Sequence, residues 1–241
     1  EDYVSGLLPE RPLESHKGTF GTALIAAGSV HYTGAAVLAG EAAYRSGAGL
    51  VTMAVPASIQ IVLSGQLPEA TWVLLPHENG MIAGGGAEVL AKNFERSNAL
   101  LLGPGFGTEE TTREFVENLL EGKYTAKKST PRIGFVHGEA GKKVEMDAKL
   151  PPTVVDADGL KLLAQIKDWH KKLPAFSILT PTSSWRSRPA PGAGMPGPWR
   201  AIARCGCGRC ASPASCGSAS AEPHPEGGLP RGAAAVGLAW R

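Results

Sequence analysis

Four short runs of apolar, β-forming residues each end abruptly at a glycine, a proline or an aspartate, and that rhythm constrains the fold more than any other feature of the chain. Residues 22–27 (TALIAA) run into Gly28, residues 50–55 (LVTMAV) into Pro56, residues 99–102 (ALLL) into Gly103, and residues 153–155 (TVV) into Asp156. Apolar character without alternation marks strands buried on both faces. Stretches with helical spacing lie between them: residues 34–45 with Gly47 as the C-terminal stop, 58–63, 86–94, 109–120 behind Thr108 as the cap, and 160–166. Further strands are expected at 71–74 and 176–179, and a polar loop at 124–131. Strands alternating with helices give a layered α/β domain around a mostly parallel sheet. Ligands bind such sheets at the carboxyl ends of the strands, where the next helix offers free N–H groups. Each turn taken singly is equally well read as an ordinary connection. Four on one edge point to a site.

The rhythm stops near residue 182. Residues 1–182 carry 12 Lys and 5 Arg against 20 Asp and Glu, whereas residues 183–241 carry 7 Arg, no Lys and 2 Glu, so a body of net −3 adjoins a tail of net +5. Of the 59 tail residues, 44 are Ala, Gly, Pro, Arg or Ser and only 4 are Ile, Leu, Val or Phe. Such a segment cannot bury enough apolar surface to offset its conformational entropy, and disorder is expected. The expected organisation is therefore a linker or extension over 1–15, a partial domain over 16–181, and an aberrant low-complexity tail over 182–241.

All four cysteines, Cys205, Cys207, Cys210 and Cys216, fall in that tail, so they describe no disulfide framework for the body. Their spacing, C-x-C-x₂-C-x₅-C, lacks the two separated knuckles of the usual zinc sites, and three tryptophans with no Lys are odd for an RNA-binding arm. A metal- or RNA-binding appendage is thus the weaker, non-enzymatic reading. The overall charge of +2 argues for no nucleic-acid partner, and no run of 18 apolar residues is present to cross a membrane as a helix. Without an initiating Met or a signal-like start at Glu1, an upstream segment and a cytoplasmic setting are expected.

Familiar chemical motifs fail when checked. The stretch from Gly28 to Gly34 lacks a following Lys-Ser/Thr, so it is no Walker loop, and the Gly47/Gly49 turn lacks the third glycine of the dinucleotide fingerprint. No Gly-x-Ser-x-Gly elbow or His-Glu-x-x-His helix occurs. His16, His31, His77, His137 and His170 are scattered singly and read as solvated or locally bonded side chains.

Six blocks in order do carry a resemblance: SHKGTFG at 15–21, AGS at 27–29, TGAAVL at 33–38, RSGAGLV at 45–51, LGPGFG at 102–107 and VDADGL at 155–160. Together they resemble NAD(P)H-hydrate dehydratase, a metabolite-repair enzyme, over roughly residues 8–181. The resemblance implies a ribokinase-like three-layer α/β/α fold, incomplete at its C-terminal end. It also implies a lyase activity. ADP or ATP with Mg²⁺ phosphorylates the hydroxyl of the hydrated nicotinamide ring of NADHX or NADPHX (the S epimer), and loss of phosphate restores NADH or NADPH. By this carry-over Ala35, Gly103 and Gly105 line the substrate pocket. Asp156 and Asp158 either support a metal or phosphate or cap the next helix. Lys17 with Gly18 either helps close the pocket or is simply solvated. Homo-oligomers are common in the family, and in bifunctional members an epimerase domain precedes this one. A ribokinase-like vitamin kinase, acting on a hydroxymethylpyrimidine or hydroxyethylthiazole, is the alternative.

The pattern breaks after Pro181. The family continues His-Pro-Gly-Glu, then a nucleotide-binding strand and a Gly-Gly-x-Gly-Asp turn whose Asp is the base; here Thr182-Ser183-Ser184-Trp185-Arg186 follows. Codons for those five residues, read one base later, can spell Pro-His-Pro-Gly-Glu. The tail is therefore expected to be an out-of-frame product of a GC-rich gene, and the chain to be impaired for want of the His, the nucleotide site and the Asp base.

Overall fold

The computed structural model describes residues 11–122, 124–127, 143–146 and 148–181. The expectations for the tail, its cysteines, His137 and residues 1–10 lie outside the described residues. Along the chain come β1 (Thr22–Ala26), α1 (Thr33–Arg45), β2 (Leu50–Pro56), α2 (Gln60–Ser64), β3 (Thr71–Leu75), β4 (His77–Glu78), β5 (Met81–Ile82), α3 (Gly86–Ala91) and β6 (Ala99–Leu102). They are followed by α4 (Glu110–Glu121), β7 (Tyr124–Lys127), β8 (Lys143–Met146), β9 (Thr153–Val155), α5 (Asp158–Leu163), α6 (Trp169–Lys172) and β10 (Ile178–Leu179).

The main sheet has the order β10-β9-β6-β1-β2-β3, and every neighbouring pair in it is parallel. Its central strands alternate between two buried surfaces. Ala23 and Ile25 of β1 pack with Val51, Met53 and Leu101 under α1 and α2, whereas Leu24 and Ala26 pack with Leu100 and Leu102 under α3, α4 and α5. Burial on both faces explains why these strands read as unbroken apolar runs, and it makes the architecture three layers, α/β/α.

Several elements differ from the sequence reading. Helix α4 starts at Glu110 with Glu109 at its cap in extended backbone and no side-chain cap bond, so Thr108 is not the cap. The preceding turn keeps Gly107 at φ +80°, which lengthens the entry by a residue. Residues 124–127 are no loop but strand β7, paired antiparallel with β8. The buried Tyr124 anchors it, its hydroxyl donating to the Leu119 carbonyl at 2.7 Å. A hairpin of β4 and β5 was also not expected; it turns through Asn79 and Gly80, both at positive φ, as a tight Asn-Gly turn requires.

Candidate active site

Parallel register brings the ends of β1, β6 and β9 to one edge, with Ala26 beside Leu102 and Leu102 beside Val155. The turns that leave these strands are stitched together by main-chain bonds. Gly28 N–H donates to Pro104 O at 2.8 Å, Gly103 N–H to Ala26 O at 3.3 Å, and Asp156 N–H to Leu102 O at 3.0 Å. The β4–β5 hairpin adds a further wall, because Val30 N–H donates to Gly80 O at 3.1 Å.

Ala35 and Gly105 meet in this cluster. A side-chain carbon built on Gly105, which sits at φ +67°, would lie 2.7 Å from Ala35 Cβ and 2.9 Å from Tyr32 Cβ. The 103–107 turn therefore approaches the first turn of α1 more closely than any side chain would permit. Helix α1 itself opens with no side-chain cap and no acidic residue in its first turn, which leaves its positive end available to an anionic group. Gly103 has a different task. At φ +119° its missing side chain would collide with Asp156 O at 2.2 Å and with Gly159 Cα at 2.6 Å, so it permits the backbones of the 103–107 turn and of α5 to cross. The structure thus brings Ala35 and Gly105 face to face and puts Gly103 behind them.

Neither aspartate is free. Asp156 Oδ1 accepts the Thr180 hydroxyl at 2.6 Å. Asp158 Oδ2 accepts the Gly107 N–H at 3.1 Å, and its Oδ1 pairs with Lys161 Nζ at 2.6 Å. Neither carboxylate accepts from a main-chain N–H of α5. No cluster of three or more His, Cys, Asp or Glu side chains suited to a metal ion occurs among the described residues. The described residues thus offer no ready-made cage of protein ligands for Mg²⁺, an ion usually held by one or two carboxylates together with waters and phosphates.

Lys17 and Gly18 belong to the other end of the molecule. They lie in a 3-10 turn, Lys17–Phe20, which precedes β1 and so stands at the amino edge of the sheet. There Gly21 O accepts the Leu50 N–H at 3.1 Å, and Arg11 donates to Gly47 O at 3.1 Å with its guanidinium 4.6 Å from the Phe20 ring centre. The 15–21 and 45–51 blocks are thereby a structural clasp, and Lys17 is exposed at the opposite edge of the sheet from the strand-end turns, which fits the solvated reading and not the closing one. His16 and His77 are locally bonded, accepting from Gly18 N–H and Gly80 N–H. Sequence reasoning missed the hairpin wall and Tyr32, which is exposed beside Gly105; the Asn79-Gly80 pair was the signal that could have found the first.

A parallel sheet covered by helices on both faces, with glycine turns gathered at its carboxyl edge, defines a three-layer α/β protein. A ribokinase-like superfamily protein from Enterococcus faecalis shares the fold, with a TM-score of 0.52 at 22% identity over 75% of this chain and 51% of that one. Residues 23–125 match the family model described as NAD(P)H-hydrate dehydratase. A bifunctional NAD(P)H-hydrate repair enzyme of Salinibacter ruber is 32% identical over 176 residues, 72% of this chain and 28% of the relative. The ADP-dependent (S)-NAD(P)H-hydrate dehydratase of Bacillus subtilis is 38% identical over 120 residues, 50% of this chain and 41% of the relative. The chain thus spans less than half the length of these curated relatives.

Proposed function

We propose that this chain binds the hydrated nicotinamide nucleotides NADHX and NADPHX at the carboxyl edge of its sheet, and that its reaction class is their nucleotide-dependent dehydration to NADH and NADPH. The single observation that carries the reading is the meeting of Gly105 with Ala35, 2.7 Å from a hypothetical side-chain carbon, within the stretch that matches the family. That contact packs the buried 103–107 turn against the first turn of α1, whose N-terminal end carries no side-chain cap and could receive an anionic group. In the reaction the phosphoryl group passes from the nucleotide to the ring hydroxyl. The phosphate then departs with the C–O bonding pair, and loss of a ring proton restores the double bond. Such chemistry rests on positioning and charge stabilisation more than on covalent catalysis. ADP as donor is supported by the name of the Bacillus subtilis relative. Because Thr182 to Arg186 replace the His-Pro-Gly-Glu continuation, binding is the proposed competence of the chain and turnover is proposed to be low. A cytoplasmic setting, where NADH and NADPH are used, is part of the same proposal.

Calorimetric titration of the full chain tests this. NADH hydrate is expected to bind saturably, Gly105→Ala to weaken it by at least about tenfold through the clash with Ala35 and Tyr32, and hydroxymethylpyrimidine and hydroxyethylthiazole to give no heat. No hydrate binding, or binding of a vitamin alcohol in its place, would overturn the reading.

A further inference from the structure

The 103–107 turn is held at both ends by one short segment, residues 156–159. At one end Gly103 is wedged against Asp156 O and the Gly159 backbone, with no room for a side chain on either glycine. At the other end Gly107 donates its N–H to Asp158 Oδ2 at 3.1 Å, a bond spanning 51 residues of sequence. Between the anchored ends lies Gly105, which faces Ala35 and Tyr32.

Asp158 stands in the first turn of α5, where its charge suits the helix dipole, but its contacts reach further than that. One carboxylate oxygen pairs with Lys161 at 2.6 Å, and the other bonds across to the 103–107 turn instead of to an N–H of its own helix. The side chain is only 14% exposed, which makes its bond to Gly107 stronger than a surface contact of the same length. Ala157 supplies the aim. Its backbone, at φ +48° and ψ −117°, turns two aspartates one residue apart to different targets, Asp156 to the Thr180 hydroxyl and Asp158 to Gly107. A segment held in such a conformation persists only where its surroundings over-determine it.

We propose that Asp158 is a positioning residue of the hydrate site: by holding the Gly107 N–H it fixes the 103–107 turn in the conformation that seats Gly105 against Ala35 and Tyr32 and so shapes the edge on which the substrate binds. The inference rests on the function proposed above but makes a separate structural claim. Lys161 acts through Asp158, keeping the carboxylate oriented.

The test uses the full chain and two readouts. Hydrogen exchange at the Gly107 amide, measured without ligand, reports whether Asp158 holds the turn; the Kd for NADH hydrate reports whether holding it matters. Asp158→Ala is expected to speed Gly107 exchange and to raise the Kd, each by about tenfold, the worth of one bond to a charged acceptor. Asp158→Asn keeps an oxygen acceptor but loses its charge and the pairing with Lys161, and is expected to fall between the parent and the Ala variant in both readouts. Asp158→Glu retains the charge but displaces the acceptor. It is expected to behave as Ala does, and it replaces Ala as the probe if that variant does not fold. Gly107 exchange unchanged in the Ala or Glu variant overturns the proposal, and so does faster exchange with an unchanged Kd. Should the parent chain bind no hydrate, the proposed function falls, while Gly107 exchange still decides whether Asp158 holds the turn.

Discussion

Ala157 sits where glycine is comfortable and alanine is not, at φ +48° and ψ −117°. Holding a Cβ there costs on the order of 1–3 kcal/mol, whereas replacing alanine by glycine elsewhere costs about 0.4–1 kcal/mol through the greater freedom of the unfolded chain. The first effect is the larger. Ala157→Gly is therefore expected to stabilise the chain by about 1 kcal/mol, read as a higher urea midpoint at unchanged slope. A lower midpoint would show that the conformation carries no strain. Gly103 presents the opposite case, since any side chain there would have to displace the Asp156 carbonyl, 2.2 Å from the site of its first carbon. Neither fact was legible in the run VDADG, where two aspartates suggested metal support. Sequence spacing places the residues at a strand end but does not say that one oxygen is spent on Thr180 and the other carboxylate on Gly107 and Lys161.

Elements were legible in proportion to how completely they are buried. Strands β1, β2 and β6 read directly because both sheet faces are covered, and α1 read directly because small and apolar residues recur down its buried side. Strand β7 escaped because its anchoring is tertiary: one aromatic residue, Tyr124, enters the core beneath α4 and meets Phe94 edge to face at 6.4 Å. The hairpin of β4 and β5 escaped because strands of two residues show no periodicity. Burial of Tyr124 makes a testable mark. It pushes the phenol up to about 12 from an ordinary value of 10.0. A phenol harder to ionise when folded stabilises the fold fully below pH about 10, and this contribution is lost as pH rises through the folded value, because the unfolded chain releases the proton first. Stability of the parent chain should fall between pH 10.0 and about 12 by more than that of Tyr124→Phe. The variant should itself be about 1 kcal/mol less stable at neutral pH for loss of the bond to Leu119 O. Parallel denaturation curves across this pH range would sink the argument.

At the scale of the whole molecule, the pocket and the sequence that should complete it part company at Pro181. Residues 22–181 build a sheet edge on which three turns, a helix end and a hairpin converge, and Thr180 is tied into it through Asp156. Thr182 then begins a stretch in which Ala, Gly, Pro, Arg and Ser supply 44 of the last 59 residues and the charge swings from −3 to +5. Both changes are what the expected shift of reading frame would produce, since the five residues after Pro181 can be re-spelled as Pro-His-Pro-Gly-Glu by moving one base. It predicts that the gene, sequenced across codons 178–190, reads through in the shifted frame. The consequence for chemistry follows from what each part supplies. On the proposed function the turns would still supply substrate contacts, whereas the Gly-Gly-x-Gly-Asp run that the resemblance implies does not occur in the sequence after residue 181, and losing a general base typically removes about 10²–10⁴ of the rate. Assayed side by side with ADP, Mg²⁺ and NADH hydrate, the chain is expected to recover nicotinamide absorbance at least about 10²-fold more slowly than the Bacillus subtilis relative, while binding the hydrate measurably. Equal rates would show that the tail supplies a base of its own, and the frame-shift reading would have to be given up.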